Sequence, residues 1–373
     1  MTDRKKRAAV IYSSIGTGHK TAAYALCEWF SKVNVDTICL DALAYVNPII
    51  RGIYARSYLE MVRKAPQIWG YFYESTDSPE ASIGFLAGLH ELTVKLNARK
   101  LLKVLADFSP DVIIFTHFFA ASAVSQEYKG KAPIFLVNTD FLSHVFHRDQ
   151  EVYDGWFIAS EEALLQYEAD GIDVKKVHIS GIPIKPSFVS PPRKALARET
   201  LELPQDDAVL LVMGGGIGVG PLEDVVDSLS QIDNATVLTL CGNNEELRES
   251  MEERFSDNEK VRVFGFVRGM EYVYAASDAI VMKPGGLSTS EVLCMERPFF
   301  LCGVIPGQEQ RNSDYLLDRG AAKIIFEPRK AANTLLSVLQ DDKERNRLLS
   351  SAKRLAKPRA GEFIANKILE SIS

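Results

Sequence analysis

The sequence has no Cys-x-x-Cys pair, no two aspartates separated by a single residue, and no apolar run as long as a membrane span. Each absence closes a class of protein. The five cysteines are an odd number, and Cys27, Cys39, Cys241 and Cys294 fall in segments that read as helix or strand. A disulfide framework and a zinc site are therefore not expected, and a reducing compartment fits. The missing Asp-x-Asp removes a common divalent-cation motif, so no metal site is expected. The longest apolar region, Val112 to Val124, contains His117 and falls short of the ~20 residues a spanning helix needs. The chain is expected to lie on a membrane rather than cross one. After the basic start Arg4 to Arg7, the apolar stretch Ala8 to Tyr12 is too short for a signal-peptide core, which predicts a cytoplasmic protein.

A net charge of −6 over 373 residues argues against a nucleic-acid partner, but the charge is unevenly spread. Residues 1–103 carry +5 and the remainder −11. A basic first third suits anionic head groups on the inner face of the cell membrane, with a solvated basic face as the plainer alternative.

Strand and helix signals alternate along the chain. Ala8 to Ser13, Val35 to Leu40, Asp111 to Thr116 and Ile134 to Asn138 read as buried strands, and Thr21 to Lys32 as a helix. The three prolines between Pro186 and Lys194 read as a linker. Beyond it Ala208 to Met213, Val237 to Leu240, Val261 to Phe264, Ala279 to Met282 and Phe299 to Leu301 restart the pattern. This is α/β grammar, predicting two Rossmann-like domains with parallel sheets that face each other across a cleft. The predicted boundaries are 1–188, 189–357 and a final helix over 358–373 that crosses back to the first domain. An insertion, Asp41 to Lys100, interleaves Tyr54, Tyr58, Trp69, Tyr71, Phe72 and Tyr73 with Arg51, Arg56, Arg63 and Lys64. That mixture suits a head-group interface or a helical pair packed on the domain.

The first strand runs into Gly16-Thr17-Gly18-His19-Lys20-Thr21. The dinucleotide fingerprint needs a third glycine where Thr21 stands, although Asp41 follows at a suitable distance. The NTPase phosphate loop needs Gly-Lys-Ser/Thr, and His19 interrupts it. A glycine turn with a histidine at a helix start remains. The positive helix end disfavours imidazolium, which makes His19 a candidate general base.

In the second half, Gly214 to Pro221 places five glycines in seven residues, among them Gly215 and Gly216, and leaves backbone amides uncovered for phosphate or sugar. Lys283-Pro284-Gly285-Gly286-Leu287-Ser288-Thr289-Ser290-Glu291 then ends a strand and opens a helix. Its free N–H groups with Ser288 and Thr289 can hold a diphosphate, and Glu291 can accept from ribose hydroxyls. Gln308 and Glu309, one strand further on, offer groups that read a sugar's hydroxyls.

These segments resemble the diacylglycerol glycosyltransferase family of glycosyltransferase family 28, which includes monogalactosyldiacylglycerol synthases and processive diacylglycerol glucosyltransferases. The resemblance is carried by Gly16-Thr17-Gly18-His19, Asn138-Thr139-Asp140, Gly181 to Phe188, Gly214 to Pro221, Gly265-Phe266-Val267, Lys283-Pro284-Gly285-Gly286, Pro306-Gly307-Gln308-Glu309 and Arg354 to Pro358. It implies a GT-B fold and metal-independent, inverting transfer of a hexose from a UDP-sugar to a diacylglycerol-like lipid, giving a β-glycolipid. The UDP-sugar is a substrate, and no cofactor is implied. On the same resemblance Phe266 and Val267 lie by the uracil, Gly285 to Thr289 hold the diphosphate, Glu291 binds ribose, and Gln308 and Glu309 meet the donor sugar. Lys283 would support the departing diphosphate, and His19 with Asp140 would act on the acceptor hydroxyl. Alternatives are a UDP-GlcNAc-type transferase with a polyprenyl-linked or soluble acceptor, a UDP-sugar sensor with a regulatory binding role, and a UDP-sugar 2-epimerase.

Overall fold

The computed structural model describes residues 4–14, 16–48, 51–52, 60–62, 65–77 and 98–372. The chain divides into two compact units. The first holds residues up to Pro186 together with Pro306–Gln308 and Lys357–Ser373, and the second holds the rest.

The first unit contains β1 (Arg7–Tyr12), α1 (Thr17–Lys32), β2 (Asp36–Asp41), α2 (Pro66–Thr76), α3 (Arg99–Phe108), β3 (Val112–Phe115), α4 (Ala121–Tyr128) and β4 (Ile134–Val137). It continues with β5 (Gly155–Ile158), α5 (Glu161–Ala169) and β6 (Val177–Ile179). Its sheet runs β2-β1-β3-β4-β5-β6, parallel throughout. Strands β3, β4 and β5 are buried at every position, as expected when helices cover both faces and leave no polar side. Ile113, Phe115, Leu136 and Trp156 form the core with Tyr167 of α5.

Helix α1 buries Ala22, Ala25, Leu26, Trp29 and Phe30, each large side chain contributing about 2 kcal/mol of apolar burial. The indole N–H of Trp29 donates to the Ile184 carbonyl at 2.9 Å.

In the second unit, α6 (Lys194–Thr200), β7 (Ala208–Met213), α7 (Leu222–Leu229), β8 (Ala235–Leu240), α8 (Glu245–Arg254), β9 (Val261–Phe264), α9 (Met270–Ala276) and β10 (Ala279–Met282) come first. Then follow α10 (Gly286–Leu293), β11 (Phe299–Leu301), α11 (Gln308–Asp318, of which Gln308 itself falls in the first unit), β12 (Lys323–Ile324), α12 (Ala331–Leu339) and α13 (Asp342–Leu355). The sheet runs β12-β11-β10-β7-β8-β9, again parallel. Leu210, Val212, Val226, Val281 and Phe300 centre its core. The guanidinium of fully buried Arg198 donates to the Ala276, Pro204 and Gln205 carbonyls and pairs with Asp278 at 2.6 Å, tying α6 to the start of β10. The last helix, α14 (Ala360–Ser371), belongs to the first unit and packs on α1. A Cβ on Gly361 would lie 2.2 Å from the Trp29 ring, so only glycine allows this approach.

The alternating pattern therefore reports two parallel sheets. Three strands escape it: β5, β6 and β12. No described helix is long and apolar enough to cross a membrane. Of the aromatic and basic insertion, Tyr54, Tyr58, Arg56, Arg63 and Lys64 lie outside the described residues. Within α2, Ile68 and Tyr71 are exposed, whereas Tyr73 packs its ring on His144 with centroids 4.7 Å apart.

In each sheet the strand order reverses once, and ligands of such sheets bind beyond the carboxyl ends of the strands at that point. The reversal lies between β1 and β3 in the first unit and between β7 and β10 in the second.

Candidate active site

In the first unit the chain leaves β1 at the reversal point and enters α1 through Gly16, whose backbone is extended and offers no side-chain cap. The helix starts at Thr17 rather than Thr21, so Gly18 lies in its first turn instead of in a turn before it, and His19 stands at the helix start as expected. His19 Nδ1 is 2.7 Å from the carbonyl oxygen of Thr116, just past β3, and 2.9 Å from Thr139 Oγ1, just past β4. A carbonyl only accepts, so Nδ1 carries the proton and donates. In the neutral ring Nε2 is then the basic nitrogen.

Burial lowers the His19 pKa below its ordinary value, against the opposing charge of Asp140 and the hydrogen bond to Thr116. Near neutral pH the ring is therefore uncharged, and desolvation is the larger cause where the sequence suggested the helix end. Asp140 has its amide held by Asn138 Oδ1 at 3.3 Å, and the Asn138 side-chain amide donates to Ser143 Oγ at 2.7 Å. That turn places the Asp140 carboxylate where its charge reaches the imidazole. His117 stands edge-on to His19, ring centroids 4.6 Å apart, and its Nδ1 accepts from the Phe119 amide at 3.0 Å. Nearby His147 is kept neutral, its pKa pushed well down chiefly by burial. Asp41, which follows the glycine loop at the distance a dinucleotide fingerprint needs, accepts from the Ser14 and Leu43 amides.

The second unit assembles another constellation at its own reversal point. The loop after β7 folds tightly onto the turn after β8: Gly218 accepts from the Asn244 side chain at 2.9 Å and the Asn243 amide donates to Gly216. Gly218 has φ +57°, and a Cβ there would lie 2.1 Å from the Cys241 carbonyl oxygen. Gly218→Ala is thus expected to destabilise the unit by about 2 kcal/mol, combining left-handed strain with a backbone clash. A thermal melt checks this; an unchanged midpoint would show that the loop gives way freely. Gly215, with φ +71°, lies beside Lys283, which follows β10.

Lys283 and Glu309, each assigned its own role by sequence, pair with each other. Lys283 Nζ is 3.1 Å from Glu309 Oε1, and Glu309 Oε2 accepts from the Ile305 amide. Both side chains are largely buried. After Lys283, Pro284 is anchored by the Asn312 side-chain amide at 3.0 Å, and α10 begins at Gly286 with Gly285 as its N-cap. There is no side-chain cap and no acidic residue in that first turn. Its leading N–H groups and helix dipole therefore favour an anion. Thr289 Oγ1 is buried and makes no hydrogen bond among the described residues. Glu291, also buried, accepts from the Tyr274 hydroxyl at 3.2 Å.

Phe266 and Val267 follow edge strand β9, two strand positions from β7, or about 10 Å at ~4.8 Å spacing. Phe266 is exposed and Val267 half-buried, which leaves a ring available to stack on a flat ligand. Gln308 opens α11, its Oε1 buried without a hydrogen bond among the described residues. Among the described residues, no cluster of three or more His, Cys, Asp or Glu could hold a metal. The sequence assigned no role to Thr116, His117, Thr139 or Tyr274. His117 had been visible only as a polar break in an apolar run, and Thr139 only as a member of Asn138-Thr139-Asp140.

Comparison with known proteins assigns these segments. The monogalactosyldiacylglycerol synthase family matches residues 19–184, and the C-terminal domain of glycosyltransferase family 28 matches residues 209–366. The processive diacylglycerol beta-glucosyltransferase of Bacillus subtilis strain 168 is 26% identical over 372 residues, covering 98% of this chain and 95% of the relative. Among solved structures, MurG of Acinetobacter baumannii superposes with a TM-score of 0.62 at 15% identity, covering 98% of this chain and 99% of that one. The UDP-GlcNAc 2-epimerase of Neisseria meningitidis bound to UDP-GlcNAc reaches 0.61 at 13% identity, covering 98% and 100%. Fold alone therefore does not separate transferases from epimerases; the family matches do.

Proposed function

Since the chain belongs to the monogalactosyldiacylglycerol synthase family in its first half and to glycosyltransferase family 28 in its second, we propose that it transfers a hexose from a UDP-sugar to a diacylglycerol-like lipid. The observation that carries this reading is the uncapped start of α10 beside Lys283 at the second unit's reversal point. Those N–H groups and the ammonium receive the donor's diphosphate, Glu291 the ribose, and Phe266 with Val267 the uracil. Glu309 and Gln308 meet the sugar.

In the first unit His19 Nε2 takes the proton of the acceptor hydroxyl as its oxygen bonds to the anomeric carbon. The bond from that carbon to the diphosphate oxygen breaks on the opposite face, UDP leaves with the electron pair, and the product is a β-glycoside. Asp140 stabilises the imidazolium that forms. Departing charge is met by helix amides and Lys283, so the step needs no metal. The basic first third of the chain holds the protein to anionic lipid on the inner face of the membrane.

Incubation with a panel of UDP-hexoses and extracted membrane lipids, in EDTA, tests this by mass analysis of the lipid fraction. A hexosyl-diacylglycerol and stoichiometric UDP are expected. A UDP-sugar altered in configuration with no lipid product would favour the epimerase reading, and sugar on a polyprenyl or soluble compound would move the acceptor.

A further inference from the structure

Glu291 is reached by a residue from another part of the second unit. Tyr274 lies on α9, before β10, and Glu291 on α10, after it; the fully buried phenol places its O–H 3.2 Å from Glu291 Oε2. A phenol has one proton, and here it is donated to the carboxylate. Beneath the ring, Phe188 packs with centroids 6.1 Å apart. The last torsion of a glutamate is broad, so an unheld carboxylate would sample many planes. The Tyr274 hydrogen bond thus anchors one oxygen of the Glu291 carboxylate, and Phe188 steadies the ring that provides it. Burial and the Glu291 charge push the Tyr274 pKa well above its ordinary value, keeping it a donor.

We infer that Tyr274 is a specificity-determining positioning residue, holding the plane of the Glu291 carboxylate so that the second unit selects a ribonucleotide over its 2′-deoxy counterpart. The inference rests on the reading that Glu291 meets the ribose. A buried carboxylate aimed at a hydroxyl loses that bond when the ligand lacks the hydroxyl, and stays unpaired. A carboxylate held less firmly discriminates less.

Calorimetric titration of the full chain with UDP and with 2′-deoxy-UDP tests this in wild type, Tyr274→Phe and Glu291→Gln. Wild type is expected to prefer UDP by about tenfold or more, the size of one hydrogen bond to a charged group. Tyr274→Phe should cut the preference to about twofold or less while 2′-deoxy-UDP binds as before. Equal weakening of both nucleotides, or an undiminished preference, would overturn the positioning role. If wild type prefers UDP and Glu291→Gln does not, the ribose assignment stands whatever Tyr274→Phe does. A wild type that binds both alike removes that assignment and the inference together. Should Tyr274→Phe fail to fold, Phe188→Leu decides: a smaller loss of preference supports the role, and none opposes it.

Discussion

His19→Ala is expected to lower turnover by about 10²–10⁴-fold, the usual contribution of a positioned general base, and to leave UDP affinity unchanged. The split follows from geometry. His19 is fixed by Thr116 and Thr139 in the first unit, whereas the groups assigned to the nucleotide belong to the second. Steady-state rates with calorimetry on the same preparation check it, and a variant that turns over normally would remove His19 from the chemistry. The pH dependence has a definite sign. The reactive form is the neutral ring, and burial lowers the His19 pKa from the ordinary histidine value of about 6.5. Activity should therefore hold as pH falls through 6.5 and decline only below it. An acid limb above 6.5 would mean that another group limits the rate, or that Asp140 outweighs burial.

Lys283→Met should produce the second large effect. The ammonium is assigned to the leaving diphosphate, and removing such a charge costs about 10²–10³ in kcat. The same change strips Glu309 of its partner in a largely buried setting, a loss of about 3 kcal/mol. The double variant Lys283→Met with Glu309→Gln separates the two roles. It should recover melting temperature, because no unpaired charge remains, but not turnover. Recovery of both would make the pair purely structural.

Much of this fold can be read in the sequence because parallel strands covered on both faces leave uninterrupted apolar runs. Ala208–Met213 and Ala279–Met282 are read to the residue. β6 and β12 have three and two residues, and β5 opens on a glycine; they are defined by pairing with neighbours rather than by composition. The start of α1 was displaced because Gly16 and Gly18 read as a turn, whereas extended Gly16 lets the helix take in Gly18. His19 and Glu291 announce themselves by following a strand and a glycine. Their partners do not: Thr116 and Thr139 lie 97 and 120 residues from His19, at strand ends that only the sheet order brings together. The Lys283–Glu309 pair is hidden for the same reason, since each residue alone suits a ligand as well as it suits the other.

The account depends on a diphosphate binding at the amino end of α10. Backbone amide resonances, followed as UDP is titrated into the full chain, test that directly. The account predicts the largest shifts at Gly286, Leu287 and Ser288, weakened when UMP replaces UDP. Shifts confined to other segments, with those three amides unmoved at saturation, would contradict it.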